Sequence, residues 1–343
     1  MNYLAKAFLN LTSVTLCLVM TGEVARAIVV SGDPSGGDST FGSSFDPNDP
    51  YYIVNPGETD PVSGISLDGV ADLSISTNSG GFRCTGSRIG SNLVLTAAHC
   101  VTDENGNLRA NSISALWETG QGNITATSQN IAVHPQWNGN LLDGFDVAVI
   151  ETANEIVNSV PTYDLFLGNN EGGIHTKVGY GRSGNGNNGD TISSGTKRQG
   201  QNIYETAFND SNGNPGILAF DFDDGTDLRN NDEFFSNGSG TGVGVAEINS
   251  APGDSGGPTF VDGLIAGITS FGSRVGSPPD IDGSVNSTFG EFSGDARISQ
   301  YSDFILSFDD PTPVPFGVNK SLGVFLVGGM FLGRQYLKHK NNQ

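Results

Sequence analysis

The chain has 343 residues, of which 36% are hydrophobic and 49 are glycine, with only 16 Lys or Arg against 37 Asp or Glu. Its formal net charge of −21 argues against nucleic acid as a partner, because phosphate binding needs a basic face. The length and apolar content suffice for one or two packed domains, and the abundant glycine suits short strands joined by long polar loops.

Taken in chain order, residues 1–27 read as a secretory signal peptide. Lys6 precedes an apolar stretch through Met20, and Ala25-Arg26-Ala27 supplies the small residues of a cleavage site. Its removal takes Cys17 away and leaves Cys84 and Cys100 in an exported chain. Residues 28–61, rich in Gly, Asp, Ser and Pro, read as a polar lead-in that wraps the surface.

A packed domain is expected over residues 62–308. Val70 to Ile75 alternates, Gly80-Gly81 turns, and Ser87 to Thr96 forms an apolar strand with Gly90 and Asn92 as boundary residues. Ala115-Leu116-Trp117, Ile131-Ala132-Val133 and Val147 to Ile150 continue the series. Gly168 to Gly173 reads as a joint between two halves, about 62–168 and 174–308, and Lys177-Val178-Gly179-Tyr180-Gly181 opens the second.

The Gly/Asn-rich loop at 183–190 lacks the lysine and the strand–helix context of a phosphate cradle. Asp221-Phe222-Asp223-Asp224-Gly225-Thr226-Asp227 lacks the spacing of an EF-hand loop and reads as a solvated acidic turn, so no metal is expected. Leu264 to Phe271 is a further strand, and Ile298, Tyr301 and Ile305 share one face of a terminal helix. Strands throughout with one short C-terminal helix suit an all-β double barrel.

The chemistry centres on Gly253-Asp254-Ser255-Gly256-Gly257-Pro258, a glycine-rich turn that presents Ser255. The backbone N–H groups of Gly253 and Ser255 can converge into an oxyanion hole. The same hexapeptide fits the G-x-S-x-G elbow of α/β-hydrolases, so the turn alone leaves the fold open. An elbow of that kind needs its general base after the serine, where only His339 in a basic tail is available. The base therefore precedes Ser255, in the order His, Asp, Ser or Asp, His, Ser. Leu95-Thr96-Ala97-Ala98-His99-Cys100 ends an apolar run on a histidine, and Phe145-Asp146-Val147-Ala148-Val149-Ile150 heads a strand with an acid. His134 and His175 read as loop or core residues, and Asp143, before Gly144 in a polar loop, competes with Asp146 for the role of acid.

Together these three stretches resemble the trypsin/chymotrypsin-like serine proteases, a resemblance that extends over about residues 62–306. Val133-His134-Pro135-Gln136-Trp137, Gly179-Tyr180-Gly181 and Ser270-Phe271-Gly272 resemble further family segments. The resemblance implies two antiparallel six-stranded β-barrels with the site in the cleft between them, and a catalytic triad of His99, Asp146 and Ser255. It also implies an oxyanion hole of Gly253 and Ser255, a Cys84–Cys100 disulfide beside the histidine, and no cofactor. Substrate contacts fall to Ser270, Phe271 and Gly272 by strand addition, and to Asn249, with Ser250 beside it, at the floor of the specificity pocket. A neutral floor implies an uncharged side chain before the scissile bond. In related proteases the acid before the serine, here Asp254, pairs with a freed N-terminal amine. Signal cleavage would expose Ile28-Val29-Val30 for that role, and a later cut near Val62 is the other candidate.

Residues 309–343 form a separate device. Pro311-Thr312-Pro313-Val314-Pro315 leads into an apolar run, Leu322 to Leu332, and then Arg334, Lys338 and Lys340. This resembles the bacterial PEP-CTERM sorting tails, which implies export and C-terminal sorting machinery as partners and transient contact with the inner membrane; a lasting membrane anchor through the same run is the alternative. The implied location is the periplasm, the cell surface or the exterior. The reading is a secreted serine endopeptidase acting on protein or peptide substrates. The alternative is a non-catalytic surface or matrix protein that uses the same barrels as a binding scaffold.

Overall fold

The computed structural model describes residues 29–30, 52–169, 172–235, 242–276 and 279–308. The expectations for the signal peptide and for the tail from residue 309 onward lie outside the described residues.

The first half is a closed antiparallel barrel of six strands, β2 (Val70–Thr77), β3 (Gly80–Arg88), β4 (Leu93–Thr96), β5 (Ala110–Thr119), β6 (Gly122–Val133) and β7 (Ala148–Thr152). They are paired in the order β2-β3-β4-β7-β6-β5. The stretch read as one strand from Ser87 to Thr96 is two, because the chain turns between Arg88 and Leu93 and folds back. Leu73, Val94, Leu95, Trp117 and Val149 fill the interior, and the Trp117 indole N–H donates to the Gly69 carbonyl at 3.1 Å.

The second half carries β8 (Ile174–Gly179), β9 (Ser183–Asn185), β10 (Gly189–Ile192), β11 (Arg198–Ile203), β12 (Thr206–Phe208) and β13 (Ile217–Phe222). Then follow α1 (Asp232–Phe235), β14 (Ile248–Asn249), β15 (Pro258–Val261), β16 (Leu264–Arg274), β17 (Glu291–Arg297) and the terminal helix α2 (Ile298–Ile305). Seven strands form one antiparallel sheet, β11-β8-β15-β16-β17-β13-β12. Among the described residues this sheet is not closed by a ladder into a second ring of six. Residues 247–249 span the gap instead. Glu247 pairs with Gln201 in a single bridge, and the buried Asn202 amide donates to the carbonyls of Asp221 (2.7 Å) and Ile248 (2.9 Å). The fold is thus all-β, with one closed barrel, one half-barrel and a short helix that buries Ile298, Tyr301 and Ile305, the face read from the sequence.

A small third sheet, β10-β9-β1-β14, uses β1 (Val29–Val30), from the segment read as lead-in. Val29 and Val30 pair antiparallel with Asn249 and Ile248, and parallel with Gly184 and Asn185. Further along the lead-in, Tyr52 and Val54 are buried, and Ile53 bridges to Arg198.

The acidic loop departs from expectation at its start. Asp221, near the end of β13, and Asp223, just beyond it, are both fully buried beside a buried Glu247. Only from Asp224 onward does the loop reach solvent. Burial, and then the charges of Asp223 and Asp221, hold the Glu247 carboxyl well above the usual carboxylate range. Carboxylate oxygens of the three lie within 4.8 Å of one another, the one such group among the described residues close enough to share a cation.

Candidate active site

The turn after β4 puts His99 in a single 3₁₀ turn, Ala98–Cys100. The predicted disulfide is present: Cys84 in β3 is joined to Cys100 with Cα atoms 6.3 Å apart, fixing the turn to the barrel wall. Asp146 lies just before β7, in a backbone that turns through two left-handed residues, Gly144 (φ 77°) and Phe145 (φ 63°). A bulky residue at positive φ is strained. Here it is held by packing, with Phe145 stacked on His134 (5.0 Å between ring centres) and against Tyr301 (5.3 Å). His134 is thus a core residue, as is His175, which packs on Tyr204 at 4.0 Å.

These placements bring the three predicted residues together. His99 Nδ1 lies 2.7 Å from Asp146 Oδ2, its Nε2 lies 2.7 Å from Ser255 Oγ, and the His99 backbone N–H donates to Asp146 Oδ1 at 2.8 Å. The Ser270 hydroxyl also donates to Asp146 Oδ2, at 2.6 Å. Three hydrogen bonds therefore hold the buried carboxylate, and bonds to an ionised acceptor are the strong ones. Asp143, the competing acid, is occupied elsewhere: its carboxylate accepts from the amides of Asn138 (2.7 Å) and Asn140 (3.0 Å).

The turn that carries Ser255 depends on glycine at two positions. Gly253 has φ 104°, and a Cβ there would lie 2.8 Å from the Gly181 Cα. Gly256 has φ 79°, and a Cβ there would lie 2.0 Å from Thr96 Oγ1. Among the described residues, neither the Gly253 nor the Ser255 N–H has an acceptor. Thr85, next to Cys84, clamps the turn: its N–H donates to the Ser255 carbonyl (2.8 Å) and its hydroxyl to the Gly253 carbonyl (2.8 Å). Sequence reading passed over Thr85. Its position beside the bridged cysteine was the available signal.

Asp254 is fully buried and accepts from the N–H groups of Gly181 (3.2 Å) and Ala251 (3.3 Å). Burial pushes its carboxyl up to about 7, opposed by the nearby Lys177. Lys177 itself is buried against Asp295 at 2.8 Å.

The predicted substrate strand, Ser270-Phe271-Gly272, belongs to β16. Beyond a bulge between Thr269 and Phe271, β16 pairs among the described residues on one side only, with β17. Its other edge is therefore available for an added strand, and a Cβ at Gly272 would meet nothing within 4 Å. Asn249 lies in β14. Its Oδ1 accepts from the Ser250 N–H (2.9 Å) and the hydroxyl of Ser293 in β17 (2.6 Å). Ser293 is another residue that sequence reading missed.

A closed barrel and a half-barrel meeting at an Asp–His–Ser chain define a chymotrypsin-like serine peptidase fold. Comparison with known sequences agrees. The sequence profile of the trypsin family matches residues 58–289. The chain is 27% identical over 221 residues to "Trypsin Blo t 3" of Blomia tropicalis, covering 60% of this chain and 74% of that protein. A solved HL collagenase structure aligns with a TM-score of 0.49 and 20% identity, over 74% of this chain and 97% of that one. The chain belongs to the trypsin family and is a serine-type endopeptidase.

Proposed function

We propose that the protein is an exported endopeptidase in which Ser255, His99 and Asp146 form the catalytic triad. The chain of 2.7 Å contacts from Asp146 through His99 to Ser255 carries this reading. Ser255 Oγ attacks the scissile carbonyl while His99 Nε2 takes its proton as general base. Asp146 orients the ring through Nδ1 and stabilises the imidazolium that forms. The N–H groups of Gly253 and Ser255 receive the developing oxyanion. His99 then returns the proton to the leaving amine, and water hydrolyses the acyl-enzyme by the same route. The substrate backbone adds along the free edge of β16 at Ser270–Gly272. Asn249 and Ser250 receive an uncharged side chain, since a charge without a partner is costly in a dry pocket.

Removal of residues 1–27 accompanies export and leaves Ile28 as the new N-terminus. The pairing of Val29–Val30 with β14 and β9 supports this, because it draws the segment toward the loop that carries Asp254. The tail acts as a PEP-CTERM-like sorting device: its proline cluster keeps the junction extended, its apolar run enters the inner membrane and its basic end stays cytoplasmic.

The test is a fluorophosphonate label followed by peptide mapping of the processed protein. Labelling of Ser255, lost in Ser255→Ala, is expected. Labelling elsewhere, or none in folded protein, returns the scaffold alternative. Intact mass of surface-exposed protein tests the tail, and a mass that still includes Gln343 overturns the sorting reading.

A further inference from the structure

The floor of the specificity pocket is more than neutral. An asparagine amide has an acceptor end and a donor end, and which end faces a ligand depends on what holds it. For Asn249 the orientation is settled by a backbone group. The Ser250 N–H can only donate, so the atom it meets at 2.9 Å must be the oxygen. The Ser293 hydroxyl donates to the same oxygen at 2.6 Å. Oδ1 is therefore spent, and Nδ2 points its two N–H groups elsewhere.

Among the described residues Nδ2 has no hydrogen-bond partner, although Asn249 is fully buried. The hydroxyl of Ser250, 3% exposed, has none either, while the Ser250 carbonyl is already taken by the Ser287 hydroxyl at 2.7 Å. Two adjacent buried polar groups without partners are uncommon, because each loses its bonds to water on burial. Ser293 sits opposite Gly272 in the β16–β17 ladder, so the bond that locks the amide also ties it to the strand pair that would receive the substrate.

We infer that Asn249, Ser250 and Ser293 form a specificity site for a substrate side chain ending in a carboxamide, that is, glutamine before the scissile bond. The glutamine oxygen accepts from Asn249 Nδ2, and its amide N–H donates to Ser250 Oγ. An aliphatic side chain of similar length leaves both groups unpaired. A glutamate offers only acceptors and brings a charge into a pocket whose donors are neutral. A lysine or arginine meets the donor end of the amide. Ser293 acts through Asn249 as a positioning residue, since its bond goes to Oδ1 and not toward the substrate.

This inference rests on Ser255 being the nucleophile and Asn249 the pocket floor. The test is a matched peptide series differing only before the scissile bond (Gln, Met, Leu, Glu, Lys), with kcat/KM read for processed enzyme titrated by fluorophosphonate. Glutamine is expected to exceed methionine by on the order of 10-fold or more, as for a site whose buried polar groups are otherwise left unpaired. Asn249→Leu, compared among variants that still label at Ser255, should reverse that ratio. Ser293→Ala should lower the Gln/Met ratio, and Ser293→Thr, which keeps the hydroxyl, should restore it. Enzyme that labels at Ser255 but cleaves equally well or better after methionine, leucine or a charged residue overturns the inference and leaves the protease reading standing. Failure to label overturns both.

Discussion

Removing the disulfide perturbs the site at its root. Cys84 and Cys100 are 16 residues apart in sequence, and both are fully buried. A bridge closing a loop of this length lowers the entropy of the unfolded chain by an amount worth about 3 kcal/mol at room temperature. For a domain of this size, that corresponds to a fall in Tm of about 6–12 °C. The double variant Cys84→Ala/Cys100→Ala, made in a Ser255→Ala background to prevent autolysis, should show this loss in thermal melts against the bridged parent. Activity should fall further than stability explains. The bridge fixes the His99 turn to β3, where the adjacent Thr85 holds the carbonyls of Ser255 and Gly253. In active protein at a temperature where the variant is folded, the effect should therefore appear mainly in kcat. Two alkylatable thiols in native exported protein, or a double variant that melts with its parent, would refute the reasoning.

Other perturbations test the same site independently. Gly256→Ala places a methyl group 2.0 Å from Thr96 Oγ1 and 2.4 Å from the Thr85 carbonyl, so the turn must move. Fluorophosphonate labelling should slow by about 100-fold or more, as for an ångström-scale misplacement of a reacting group, and an unchanged rate would show that the turn is not constrained. Asp254 has a folded-state value of about 7 against an ordinary 3.8. Between those values the folded state therefore holds the extra proton, and its contribution to stability falls as pH rises through the window. In unprocessed Ser255→Ala protein, the Tm difference between Asp254 and Asp254→Asn forms should move against the aspartate from pH 4 to 7, and a pH-independent difference contradicts this. Asn249→Asp exchanges the donor end of the floor amide for a buried carboxylate, which seeks a cation. Peptide profiling should then shift toward Lys and Arg, and strong cleavage after Lys or Arg by the parent enzyme would mean that another acid reaches the pocket.

The site was more legible in the sequence than the sheets around it, for a physical reason. Catalytic chemistry of this kind needs particular residue types in short local patterns, and three such stretches, 95–100, 145–150 and 253–258, display them. Strands are specified by partners distant in the chain. β17, Glu291–Arg297, is buried along its whole length yet carries Glu, Ser, Asp and Arg. Its polarity concealed it, because its partners are scattered: Asp295 alone receives Lys177, Tyr204 and Thr259. β6 was read only at its apolar end, Ile131–Val133. Its first nine residues are polar, small or half-exposed, and its register comes from β5 and β7. The acidic loop misled in the opposite direction, since composition records the charge of Asp221 and Asp223 but not that both are buried.

What the sequence motifs could not display is how the two halves hold each other. His99 and Asp146 come from the closed barrel, yet the Asp146 carboxylate takes a bond from Ser270 of the second half. Ser255 comes from the second half, yet its turn hangs on Thr85 of the barrel, whose hydroxyl also accepts from the Tyr180 N–H. In the proposed triad each half thus supplies members and also positions those of the other. Neither set of bonds is local in sequence: Ser270 lies 124 residues from Asp146, and Thr85 lies 168 residues from Gly253. The 2.7 Å contact between His99 and Ser255 is therefore a property of the junction. A substitution that loosens Thr85 or Ser270 should misalign Ser255 and His99 while leaving both halves folded.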